Sequence, residues 1–150
     1  MDDLTETIRS VDWENYETAY GNAKYVGQLL ELLSSSDMDK AMKASFELWC
    51  GLCHQDEFIS SASLPSYPIL LFILRISNDE VADEILRIIW GFASCSADSY
   101  FEGEETRPHW AAKLRLLMKE DIAIFKKLTK SENKYISDHA TWIIEDLEKP

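Results

Sequence analysis

The chain has 150 residues, 46% hydrophobic and 28% charged, with 27 acids against 15 Lys/Arg and a formal net charge of −12. That length fits one domain able to bury about two thirds of its unfolded surface, and the charge disfavours nucleic acid and anionic lipid while favouring a basic protein partner. The longest apolar run, residues 68–74, has 7 residues, well short of the roughly 18 that a membrane span requires.

The start, Met1-Asp2-Asp3, has neither a basic nor an apolar leader segment, and the Cys count of 3 is odd. Both suit a cytoplasmic protein with reduced thiols. Only 5 Gly and 4 Pro are present, too few for the many tight turns of an all-β fold. The acidity is uneven. Residues 1–106 hold 20 acids and 6 bases, whereas residues 107–150 hold 7 acids and 9 bases.

In chain order, the apolar spacing predicts helices almost throughout. Tyr25, Val26, Leu29, Leu30 and Leu33 form one stripe of a helix over 18–33. Ser36 or Asp37 caps a second helix over 38–53, with Met42, Phe46, Trp49 and Cys53 on one face. Residues 54–63 are polar and loop-like. Pro65 and Pro68 bracket the start of a third helix, where proline is tolerated, and 69–74 are apolar all round.

Asn78 and the acids after it start a fourth helix over 79–95, with Val81, Ile85, Ile88, Ile89 and Phe92 inward. Residues 96–108 read as irregular. A fifth helix is expected over 108–118 and a sixth over 119–130, with Ile122, Phe125 and Leu128 on one face. A seventh, over 134–148, turns Ile136, Ala140, Ile143, Ile144 and Leu147 inward. Trp49, Trp90 and Trp142 fall within apolar helix faces and read as core.

Residues 18–53, 65–95 and 119–148 each read as helix, short polar turn, helix. Such pairs stack side by side in α-solenoids; a non-repeating helical bundle is the alternative. The expected fold is therefore all-α, with about seven helices in about three pairs, in one domain spanning 1–150.

Candidate chemistry is sparse. Cys50, Cys53 and His54 suggest a metal, but zinc takes four ligands, and His109 and His139 lie in distant segments. Cys53 and His54 are sequence neighbours on a helix and do not pair as nucleophile and base. Gly21 and Gly27 are too isolated for a phosphate loop. The reading contains no catalytic site, no metal and no cofactor.

The acids are the stronger signal. Asp79, Glu80, Asp83 and Glu84 occupy i, i+1, i+4 and i+5, so four like charges share a helix face and repel unless something basic sits opposite. Aromatics set among carboxylates suit an interface in which rings anchor and charges steer. Trp13 and Tyr16, flanked by Asp12, Glu14 and Glu17, form one such set; Tyr100 and Phe101, flanked by Asp98, Glu102, Glu104 and Glu105, form another.

Two stretches carry a resemblance. One is Ala19-Tyr20-Gly21-Asn22-Ala23 leading to Leu29-Leu30-Glu31-Leu32-Leu33. The other is Leu48-Trp49-Cys50-Gly51-Leu52-Cys53-His54-Gln55, followed by Ala62-Ser63 and the run from Pro65 to Leu74. Together, over about 18–95, they resemble bacterial HEAT-repeat-like proteins that accompany polymorphic or contact-dependent toxins as immunity proteins. The chain has Asp56 and Glu57 where that pattern has a small residue such as Gly. The resemblance implies a HEAT-like stack whose second helices line a concave surface. On this reading, an acidic surface there neutralises a basic toxin, a nuclease, by covering its active site in a heterodimer. A HEAT-type adaptor without a toxin is the other reading. The residues assigned to the partner are Asp79, Glu80, Asp83, Glu84, Asp98, Tyr100, Phe101, Glu102, Glu104, Glu105, Trp13 and Tyr16.

Overall fold

The computed structural model describes residues 2–101 and 106–150. The fold is all-α, with one two-residue-per-strand hairpin near the N-terminus. Among the described residues, no helix is long and apolar enough to cross a membrane.

An additional helix, α1 (Asp3–Ser10), precedes the first expected one. It is short, but the Asp2 carboxylate caps it by accepting from the Thr5 amide at 2.8 Å. Leu4 and Ile8, one turn apart, supply its buried stripe.

The helix expected over 18–33 is only half present. Residues 17–22 form strands β1 (Glu17–Thr18) and β2 (Gly21–Asn22), paired antiparallel with Thr18 opposite Gly21. The Thr18 hydroxyl donates to the Gly21 carbonyl and accepts from the Tyr20 amide, closing a turn in which Gly21 adopts φ 109°. A β-carbon is strained at that angle, so Gly is the natural occupant. The hairpin then borrows partners from elsewhere: Ala19 donates to the Gly51 carbonyl and Ala62 to the Glu17 carbonyl. Those long-range bonds decide against the helix. After a 3-10 turn (Ala23–Tyr25) capped by Asn22, α2 runs over Val26–Leu33.

Helix α3 (Met38–Cys53), capped by Asp37, has the expected bounds but a different inward face. Ala41, Ala44, Ser45, Leu48 and Leu52 are buried, whereas Phe46 is 55% exposed and Met42 and Trp49 are half-buried. Both stripes have helical spacing. The one with small residues faces inward because it lets neighbouring helices approach closely, which leaves the bulkier rings outside.

Helix α4 (Ser63–Ile76) is buried along most of its apolar run, with Phe72 exposed. Helix α5 (Asp79–Cys95) begins at an Asn78 cap and buries Val81, Ile85, Ile88, Ile89 and Phe92, as its spacing predicts. Residues 98–101 form a 3-10 turn within the segment expected to be irregular. Helices α6 (His109–Glu120), α7 (Ile122–Leu128) and α8 (Lys134–Glu148) complete the chain.

Helices α2 and α3, α4 and α5, and α7 and α8 pack as consecutive pairs. The second members lie side by side: α5 packs against α3 on one flank and α8 on the other. One contiguous core runs through the pairs, from Leu4 to Leu147. Arg115 of α6 ties its far end together. It is 3% exposed and donates to the Ala93, Asp146 and Lys149 carbonyls and the Ser96 hydroxyl. Those acceptors satisfy a guanidinium that would otherwise be costly to bury.

Candidate protein-binding face

The outward sides of α3, α5 and α8 form one face, and aromatic rings cross it. On α3, Phe46 and Trp49 sit with ring centres 6.1 Å apart. The Arg87 guanidinium of α5 lies over the Trp49 ring, 4.8 Å from its centre, a cation–π contact. One turn further along α5, Trp90 meets Trp142 and His139 of α8 at 5.1 and 6.0 Å. Trp142 is 39% exposed.

Two carboxylates fix the orientation of these rings. Asp56 accepts the Trp49 indole N–H at 3.1 Å, and Asp146 accepts the Trp90 indole N–H at 2.8 Å. Asp146 also accepts from Ser94 and from the Lys149 ammonium at 2.7 Å. Burial pushes its pKa up, but the hydrogen bonds from Lys149, Ser94 and Trp90 outweigh burial and hold the carboxyl below the usual range. At Asp56, burial wins over the bonds from Trp49 and Cys53 and the Arg87 charge, and the pKa is raised. With their polar ends tied down, the rings present their faces with little rotamer freedom to lose, which suits binding anchors.

The edge of the face is strained. Three consecutive non-glycine residues, His54, Gln55 and Asp56, adopt φ of 40°, 55° and 70°, at a cost of order 1 kcal/mol or more each. Several contacts hold this run in place. The His54 ring stacks on Phe58 at 4.8 Å, the Cys95 thiol donates to the Asp56 carbonyl, and the Asp56 carboxylate is held as above. Glycine would be unstrained at these angles, but Asp56 stands here and gains a bond to Trp49.

The acid cluster of α5 lies on this face, but its charges are partly answered from within. Asp83 pairs with His139 at 2.6 Å, Glu84 with Arg87 at 3.9 Å, and Asp79 accepts weakly from Asn133 at 3.4 Å. Asp83 and Glu84 thus already have partners within the chain. Asp79 and Glu80 stay exposed. At the other end, Asp98 pairs with Arg107 at 3.8 Å, and Tyr100 is 42% exposed, edge-on to the half-buried Phe101. Tyr100 shares a hollow of about 190 Å³ with Ser94, Asp146 and Lys149, so this turn adjoins the face. Glu102, Glu104 and Glu105 lie outside the described residues.

Trp13 does not join the face. It is 8% exposed, its indole donates to the Ile8 carbonyl at 3.0 Å, and it packs against Gly27. It locks α1 onto α2, and the expectation of a partner-binding Trp13 is corrected accordingly. Tyr16 is half-buried against the same core. The opposite correction applies to Trp49, Trp90 and Trp142, read as core but partly exposed here. Sequence did hold a signal for Trp142: His139, Trp142, Glu145 and Asp146 repeat at helical spacing, which sets a ring among polar groups.

Burial pushes the Cys53 thiol well up and the Cys95 thiol up to about 12, with the Asp56 charge adding to both. Thiols so held are poor nucleophiles. Among the described residues, no three His, Cys, Asp or Glu side chains gather as a metal site would need. No family model, curated protein or solved structure matches this chain.

Proposed function

We propose that the α3–α5–α8 face binds a basic protein, and that the chain is an immunity protein acting in the cytoplasm against a bacterial toxin, a nuclease. One observation carries the binding reading: Trp49 and Trp90 are oriented by the half-buried Asp56 and the buried Asp146 carboxylates, and partly exposed Trp142 extends their line. Rigid aromatic anchors at the centre of a surface are typical hot spots. Around them, Asp39, Asp79, Glu80 and Glu145 on the same helices are exposed. They supply the negative field that speeds encounter with a cationic partner.

The nuclease assignment follows from chemistry. A nuclease cleft is positive because it holds phosphates, and carboxylates presented by rigid helices compete for that cleft. The pairwise stacking of α2–α3, α4–α5 and α7–α8 supports a HEAT-like stack as the scaffold. The internal pairing of Asp83 and Glu84 leaves Asp79 and Glu80 as the direct contacts of the α5 cluster.

The test is inhibition. The toxin domain encoded by the adjacent reading frame is assayed for nuclease activity with one equivalent of this protein. Inhibition that weakens on Trp142→Ala and on Asp79→Lys with Glu80→Lys supports the reading. Full inhibition by all of these variants removes this face from it. Binding without inhibition, to a partner of another kind, makes the protein an adaptor.

A further inference from the structure

A second site lies on the other flank of α3. A pocket of about 560 Å³ opens between the hairpin, α2 and α3, and no basic residue lines it. Its walls are the rings of Tyr20, Tyr25 and Phe46, with Gln28, Leu29, Glu47 and Cys50 completing it. We infer that this pocket is a guanidinium-binding box in which three rings and the Glu47 carboxylate receive an arginine side chain.

The rings are held apart by specific devices. The Tyr25 hydroxyl donates to Thr18 Oγ1 at 2.8 Å, and a β-carbon on residue 51 would sit 2.9 Å from that hydroxyl, so Gly51 makes its room. Tyr20 is placed by the Gly21 turn and meets the His54 ring edge-on at 6.1 Å. Phe46 leans on Trp49. Yet Tyr20 and Phe46 remain 64% and 55% exposed. Large rings this exposed around an open pocket form an unpartnered apolar site.

Charge selects the occupant. Aromatic faces are electronegative and attract a cation placed over them. Glu47 is exposed and makes no ion pair among the described residues. An anion is disfavoured by both features, and a purely apolar side chain would gain nothing from Glu47. Arginine fits best because its planar group stacks on rings while its fork addresses a carboxylate. The source of that arginine rests on the proposed basic partner; the box itself does not.

The experiment is an amide NMR titration of the full chain with N-acetyl-arginine amide, N-acetyl-leucine amide and tetramethylammonium. Saturable shifts centred on Tyr20, Gln28, Glu47 and Cys50 are expected with the arginine probe and not with the leucine probe. Phe46→Leu keeps an apolar wall without a ring, and with Glu47→Gln it is expected to weaken binding about three- to tenfold each. Both positions are exposed, and unchanged spectra elsewhere confirm that the variants fold. Shifts spread over all acidic residues and unaffected by Phe46→Leu would overturn the box, as would equal binding of the leucine probe. Tighter binding of tetramethylammonium would overturn the arginine assignment. If the probe does not bind while the toxin is inhibited through Trp142, the box fails and the proposed function stands. If it binds and no basic toxin is inhibited, the reverse holds.

Discussion

Gly91 of α5 leaves the space that the Asp56 carboxylate fills. A β-carbon at residue 91 would collide with Asp56 Oδ1 and come within 2.9 Å of Cys53 Sγ. The strained turn after α3 and the middle of α5 are therefore fitted to each other, and the turn holds Trp49 in place. Gly91→Ala is expected to destabilise the protein by about 1–3 kcal/mol, the usual cost of overpacking. In urea unfolding, that cost should shrink in an Asp56→Gly background, giving a coupling above about 0.5 kcal/mol.

Asp56 and Asp146 make opposite contributions to pH dependence. The folded-state pKa of Asp146 is depressed, so its stabilisation is present above the unfolded value and is lost as pH falls through the folded one. Its window lies below about pH 4, and Asp146→Asn should flatten the acid limb of a stability profile there. Asp56 is raised, so the native state takes up its proton first and this residue costs stability at neutral pH. Asp56→Asn keeps an acceptor for Trp49, and asparagine tolerates a left-handed backbone. It is expected to be neutral or mildly stabilising, read by thermal unfolding at pH 7.

Tryptophans separate by role. Trp13→Ala removes a buried ring and should cost about 3–5 kcal/mol of stability. Trp142→Ala should cost little stability but about 2–4 kcal/mol of partner affinity, as a hot spot does. Chemical denaturation and calorimetric titration of the same two variants measure the contrast.

The thiols report on folding. With Cys53 and Cys95 pushed up and buried, neither should react with iodoacetamide at pH 8 in the native protein. All three cysteines should react in denaturant, as counted by mass spectrometry.

Helix bounds were legible wherever a cap and a stripe coincided, as at Asn78 and Val81 through Phe92. The hairpin was not, because its fate is decided by bonds that tie Ala19 to Gly51 and Glu17 to Ala62, partners that lie far along the chain. The inward face of α3 was misread because periodicity locates stripes but not which of two is buried; close packing favoured the alanines. The acidic cluster was legible as a charge pattern. Of its partners, Arg87 follows Glu84 by one turn of the same helix, whereas His139, 56 residues from Asp83, appears only once α5 and α8 are adjacent. Aromatic anchors escaped notice because an apolar ring in a helix stripe looks the same whether it packs inward or covers a face.

If a basic toxin meets the α3–α5–α8 face as proposed, the exposed acids of α5 speed its capture. Stopped-flow association of the adjacent-gene toxin with two charge-reversed proteins tests it most directly: Asp79→Lys with Glu80→Lys on α5, and Lys126→Glu with Lys127→Glu on α7. The first pair should slow association about tenfold or more at low salt, with the gap closing as salt is added, and the second should leave the rate unchanged or raise it. Equal rates for both, or slowing by the α7 pair alone, would contradict the account.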